Sequence, residues 1–538
     1  MYSTRRINAL ESKVNELMDA RHATPVPPTN AASGVRNGDG GDDDDVAKDV
    51  VDCGFLTMED AESFLSTFKV RMTEHFPFVV VPPQTMAEQL RRERPVLFLS
   101  IISAASHSNM PLQRKLGKEV RAAIASRMLV NGEVSFDLLQ GLLVYLAWCH
   151  YHTRPYRYTQ FLQLAIGLIV ELRLDRPPRT KVWKSGIRFT SDYDPDDNTF
   201  TRPSLGRDEQ RAVAGCYYLS STISGLLQKQ PTFPHVTYLE ECCKSLYDAA
   251  EYPYDKSIHY IVQLQHIVEK IDRISFQHGM ELENPGSAIE LYVLSLKSEL
   301  EAFRVRSGFI LDESPLIAIQ FHTAELSLYQ LSLLDKRRQQ SGFTQTTLLD
   351  EMLCAGRMAA QSILRLYLSL PLHSETAFNN TEWVQIGFAL IVACKQAGTA
   401  SATEPAVFPR QKELLSSTLT RLKMRVAELS TDKVDLNGDR DVFSNYVDRV
   451  ARLQVWLDVR FEKTGDPGIN NAAPEELRTI EASPSLENQQ LADASRGLYD
   501  LPPSDFSPSD LFANMANDYH SMEDDFTCTI DQMLNDWM

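Results

Sequence analysis

Between about residues 55 and 463, apolar side chains recur every three to four positions almost without a break. Only a helical backbone gathers that spacing onto one face, so this feature alone predicts an all-α body. In "TMEDAESFLSTFKVRMTEHF", Thr57-x-x-Asp60 has the form of a capping box, and Ala61, Phe64, Leu65 and Phe68 share a face. "SFDLLQGLLVYLAWC" aligns Phe136, Leu139, Leu142, Leu143 and Leu146 with little polar surface opposite, which predicts a central helix. "SPLIAIQFHTAELSLYQLSLLDKRR" opens with Ser314 as N-cap and Pro315 in the first turn, and ends in bases that suit the helix dipole. "DVFSNYVDRVARLQVWLDVRFEK" turns Phe443, Val447, Val450, Leu453, Leu457 and Phe461 inward. "FPFVVVP" is short and bracketed by prolines, so it reads as a connector rather than a strand.

Segments of different composition flank this body. Residues 20–52 contain "GVRNGDGGDDDD", an acidic Gly- and Asp-rich stretch with too few apolar residues to fold, and they are expected to be a disordered linker. Within the body, the proline- and charge-rich stretch 176–208 is expected to be a loop insertion outside the helical core. The region 464–538 begins as a second linker. At the front, residues 1–19 contain Ile7, Leu10, Val14 and Leu17 at 3-4-3 spacing, the a/d rhythm of a two-helix seam. That is too short to hold a dimer alone, and it reads either as an amphipathic helix or as the end of a longer element.

The net charge of −18 argues against nonspecific attraction of the whole chain to nucleic acid. The most apolar stretch, "FLQLAIGLIVELRL", is interrupted by Gln163, Glu171 and Arg173, so it predicts a buried helix and no membrane span. Eight cysteines contain no Cys-x-x-Cys pair, and reduced thiols are expected. Cys242-Cys243 reads as helix packing, with a redox pair as the alternative.

Catalytic and metal motifs do not assemble. Ser66-x-x-Lys69 has the letters of a serine acylase but none of its companion motifs. Cys149, His150 and His152 could be ligands, yet no second pair stands at metal spacing, and a satisfied helix end is expected instead. "DLNGDRD" lacks the acids a calcium loop needs at its first and twelfth positions, and no phosphate-binding glycine loop is present. No enzyme is expected from these residues.

The end of the chain is more informative. After Arg496 there are nine Asp or Glu and no Lys or Arg. "DDFTCTIDQMLNDWM" places Phe526, Ile530, Met533, Leu534 and Trp537 on one helical face. Acidic residues keep such side chains exposed and available to a partner's groove, the form of a transcriptional activation segment; a merely solvating tail is the alternative.

"SFDLLQGLLVYLAWCHYHTRPYRYTQFLQLAIGLIVELRLDRPP", followed by "DEQRAVAGCYYLSSTIS" and "TYLEECCKSL", resembles the middle region of fungal binuclear zinc-cluster transcription factors, in the branch that includes regulators of secreted proteases. The resemblance covers about residues 5–463 in order and pattern; the tail matches in composition. It implies a coiled-coil dimerisation helix carrying Ile7, Leu10, Val14 and Leu17, a large all-helical regulatory domain, and an acidic activation segment. It further implies a nuclear regulator of a gene set such as a secondary-metabolite cluster or secreted enzymes. The implied partners are the transcription machinery or a coactivator at the tail, and a second copy or a related factor as dimer partner. The family's zinc module would stand before the dimerisation helix, but no Cys precedes position 53. Its DNA-contact residues therefore cannot be assigned to this chain, and zinc and promoter DNA are expected only with a module upstream. The alternative is a modulator without DNA binding that pairs with intact relatives.

Overall fold

The structure is a computed structural model, and it describes residues 49–152, 158–177, 205–226, 233–280, 288–334, 346–403, 408–431, 433–435 and 438–464. Among these residues there are fifteen α-helices, one isolated bridge between Val434 and Arg440, and no strand. All-α is the observed class.

The first group is α1 (Met58–Thr67), α2 (Ala87–Glu93), α3 (Pro95–Ala105), α4 (Met110–Ile124), α5 (Phe136–Ala147) and α6 (Tyr158–Glu171). The predicted capping box starts α1: the Asp60 amide donates to Thr57 Oγ1 at 3.1 Å, and the Thr57 amide donates to Asp60 Oδ2 at 3.1 Å. Helix α3 packs on α1, α2, α4 and α5, and α5 is buried from Leu138 to Ala147, as its unbroken apolar run requires. The connector "FPFVVVP" forms no strand, but Phe76, Phe78, Val79, Val80 and Val81 are buried.

Next come α7 (Arg207–Leu226), α8 (Thr237–Ala249), α9 (Asp255–Met280), α10 (Ala288–Glu313) and α11 (Pro315–Leu334). Helix α7 opens at the C-terminal edge of the expected insertion, whose residues 178–204 lie outside the described residues. The last group is α12 (Thr346–Ser369), α13 (Asn380–Thr403), α14 (Phe408–Ala427) and α15 (Val442–Thr464). Helix α13 is the hub, packing on α5, α7, α11, α12, α14 and α15. Phe443, Val450, Leu453 and Leu457 of α15 are buried as its periodicity predicts, and Val447 is half-buried.

Two apolar cores result. The larger is shared by α3, α5, α7, α13 and their neighbours; the smaller joins Leu264, Ile267 and Ile271 of α9 to Val293, Leu300 and Phe303 of α10 and Phe321 and Leu328 of α11. Between α12 and α13 the chain is pinned to the first group. Arg71 Nη2 donates to the His373 carbonyl at 2.8 Å, Trp148 Nε1 to the Ala377 carbonyl at 3.1 Å, and Tyr151 Oη to the Thr376 carbonyl at 2.7 Å. His75 Nδ1 lies 2.9 Å from Glu382 Oε1; burial would lower this imidazole, but the carboxylate holds it above its ordinary value.

Candidate functional site

The residues singled out from sequence divide into two sets. Ile7, Leu10, Val14 and Leu17, and Phe526, Ile530, Met533, Leu534 and Trp537, lie outside the described residues. The suspected catalytic and ligand residues are placed, and none forms a centre. Lys69 Nζ donates to the Pro83 carbonyl at 3.2 Å and to that of Thr85, tying a loop. Asp435 lies 2.6 Å from Arg114, and Asp441 caps α15 by accepting from the Ser444 amide at 2.8 Å. Both thiols of the Cys242-Cys243 pair are buried on α8 and free, with burial pushing Cys242 up to about 11 and Cys243 higher still. That environment opposes the thiolate that redox chemistry needs. Among the described residues, no group of three or more His, Cys, Asp or Glu is placed to hold a metal ion.

His150 corrects one expectation. It lies in a 3₁₀ turn, Cys149–Tyr151, but among the described residues neither ring nitrogen has a hydrogen-bond partner, so it is not a satisfied helix end. It is a buried ring packed on Tyr151, with centroids 4.2 Å apart. Burial and the neighbouring His152 push it down to about 3, and burial with Arg121 and Arg114 does the same to His152, so both stay neutral near pH 7.

The site that the structure does build is a groove of about 330 Å³ between α12, α13 and α14. Its apolar floor comes from Leu364 and Leu368 of α12, Ala393 and Ala397 of α13, and Leu415 of α14. Helical spacing explains the set: Arg357, Gln361, Leu364, Arg365 and Leu368 stand three or four residues apart along one side of α12. The paired alanines of α13 leave the depression that larger residues would fill. At its edge Gly356 admits α13 closely, since a Cβ there would stand 2.7 Å from Gln396 Nε2. Arg425 braces the wall. Its Nε donates to the buried Glu375 carboxylate and its Nη2 to the Pro371 carbonyl at 2.8 Å, with the guanidinium 5.1 Å from the Tyr367 ring centroid.

Around that floor stand Arg357, Arg365 and Arg421, and among the described residues the lining contains no Asp, Glu, His or Cys. Guanidinium groups cannot act as bases, so the described lining residues supply no general acid–base pair. Three cations over an apolar floor suit an anionic group carried on an apolar body. Sequence reasoning missed this site because single arginines on amphipathic helices read as solvated positions. The i, i+4, i+8 run of Arg357, Gln361 and Arg365 was its one visible signal.

A second polar feature lies between α7, α9, α11 and α13. Gln265 Nε2 donates to Ser221 Oγ at 3.0 Å, and Gln265 Oε1 accepts from Thr222 Oγ1 and Gln320 Nε2, each at 3.3 Å. Thr222, Gln265 and Gln320, with Thr323, Ser327, Gln385 and Asp272, line a cavity of about 20 Å³, room for one water. Burial, reinforced by the charge of Glu269, pushes Asp272 up to about 7.

Comparison with known proteins adds the following. Residues 41–346 match the family described as the WAR1 C-terminal domain, a match that ends where α12 begins, so the groove lies beyond it. The chain is 39% identical over 475 residues to Transcription factor himD of Aspergillus japonicus, covering 85% of this chain and 76% of that protein. It is 26% identical over 342 residues to Transcription factor opdL of Penicillium oxalicum, covering 62% of this chain and 59% of that protein. It is 29% identical over 227 residues to Transcription factor pbcR of Emericella nidulans, covering 40% and 30%. No solved structure matches. The all-helical body, the order of its apolar helices and these relatives agree: the chain belongs to the WAR1 C-terminal domain family of fungal transcription factors.

Proposed function

We propose that the chain acts in the nucleus as a regulator of transcription, with its helical body as the input domain and its acidic tail as the output. The observation that carries this reading is the relation to himD, which extends over most of both chains. The groove supports it physically, because an apolar floor with a cationic edge suits the binding of an anionic effector. An anionic amphipathic effector held there would bridge α12, α13 and α14 and favour one packing of the three over another.

The tail would recruit a coactivator. Its acids keep Phe526, Ile530, Met533, Leu534 and Trp537 in water, and a partner's groove would take them as an induced helix. Burying one such side chain contributes roughly 1.5–3 kcal/mol, so the apolar face sets the strength and the acids set the availability. The experiment fuses residues 504–538 to an unrelated DNA-binding domain and reads a reporter at matched protein levels. The fusion activates; Phe526→Ala with Trp537→Ala abolishes most of the signal, and Asp524→Asn with Asp525→Asn lowers it partly. An inert fusion, or equal effects of the two pairs, would make the tail a solvating end.

A further inference from the structure

Helix α10 has two apolar faces. One buries Val293, Leu296, Leu300 and Phe303 against α9 and α11, and Ile310 against the larger core. At about 100° per residue, Leu291, Leu294, Ser298, Ala302, Val305 and Phe309 form a narrow stripe on the opposite side. All six are exposed, Leu291 to 69% and Val305 to 77%. A helix facing water on one side would carry polar residues there, so this stripe calls for a partner.

The order of side-chain sizes says which partner. From the two ends inward the stripe reads Leu291 and Phe309, then Leu294 and Val305, then Ser298 and Ala302. Each pair is centred within half a residue of position 300. We propose that this face is a self-association surface, on which a second copy of the chain lays its own α10 antiparallel about a two-fold axis near residue 300. Small residues at the crossing let the two backbones approach, and the larger ones fill the gap as the helices diverge. The contact is isologous, since every pairing occurs twice. Charge selects the direction. Lys297 and Glu301 are exposed beside the stripe, and the antiparallel arrangement sets Lys297 of each copy against Glu301 of the other. A parallel pair would put these two residues of the copies on opposite flanks of the seam, so neither charge would meet its complement. One helix pair lies at or below the lower bound of the roughly 1,200–2,000 Å² that specific interfaces bury, so a weak dimer is expected.

The test uses the full chain carrying Leu10→Asp and Leu17→Asp, so that the opening helix cannot hold the copies together. Sedimentation over a concentration series gives the dimer dissociation constant. Ala302→Arg with Val305→Glu should weaken it at least tenfold. The control is Val455→Glu, at another exposed apolar position on α15, which leaves it unchanged. All positions changed in the described residues are exposed, and circular dichroism checks that helicity is retained. Direction is read by oxidation after replacing the exposed Cys53 and Cys354, and Cys528, with Ser. A mixture of Leu291→Cys and Phe309→Cys chains crosslinks, whereas neither does alone. A chain that stays monomeric to about 100 µM, an Ala302→Arg/Val305→Glu chain that dimerises like its parent, or Leu291→Cys crosslinking to itself would each overturn the proposal.

Discussion

Arg211 shows how much of this fold rests on charges hidden from water. It is 1% exposed, its Nε and Nη2 donate to both oxygens of Asp255 at 2.8 and 2.9 Å, Nη2 also donates to Glu251 at 2.8 Å, and Nη1 donates to Asp208 at 2.9 Å. Arg211→Met keeps the bulk but leaves Asp255 buried without its counter-ion, which should cost about 3–5 kcal/mol and appear as a large fall in the urea midpoint. Asp272 behaves in the opposite way. Its carboxyl is raised from 3.8 to about 7, so in that window the folded chain binds more protons than the unfolded one. Stability from this group is therefore full below about pH 4 and is lost as pH rises through 7. Asp272→Asn removes the penalty: its stability advantage over wild type should widen by about 2 kcal/mol between pH 5 and pH 8 in denaturant titrations. Buried His150 and His152, held down to about 3, give the other limb. Unfolded imidazoles bind protons below about 6.5 and these do not, so stability falls with pH below that value, and His150→Phe should flatten the fall.

Helices α3 and α5 meet at Gly141, where a Cβ would lie 2.7 Å from Val96 Cγ1 and 3.0 Å from the Val96 carbonyl. Alanine favours a helix by about 1 kcal/mol over glycine, but here the obstacle is backbone that cannot step aside. Gly141→Ala should therefore lower stability by about 1–3 kcal/mol, read as a lower midpoint with an unchanged m value. Elements of this kind were the most legible part of the sequence. The apolar run of α5, the Thr57 box of α1 and the inward face of α15 follow from local spacing and capping chemistry, which need no knowledge of neighbours. Gly141 did not announce its role, because Val96 stands 45 positions away and only packing brings the two together. The same holds for Arg211, whose partner Asp255 is 44 positions distant. The stripe on α10 was present in the letters, but a helix apolar on both faces reads as simply buried until one face is seen in water.

At the scale of the molecule, a hub helix, α13, ties the N-terminal helices to the groove formed with α12 and α14. The bonds from Arg71, Trp148 and Tyr151 to the 373–377 segment fasten the first group of helices to the start of α13. An effector seated in the groove would thus act on the larger core through α13 rather than on a loop. Arg365→Glu with Arg421→Glu reverses charge at two exposed positions, so it should alter the regulated response while leaving the urea midpoint within about 0.5 kcal/mol of wild type. The all-helical class was readable from periodicity alone, whereas the groove was not, since three helices must first converge before its arginines stand together. If this chain regulates transcription through its tail, transcript profiling of a strain that lacks it reads out the genes it controls. A discrete set of transcripts should fall on deletion, return with the unaltered chain, and fail to return with the Phe526→Ala/Trp537→Ala chain at equal protein level. An unchanged transcriptome, or full rescue by that double variant, would contradict it.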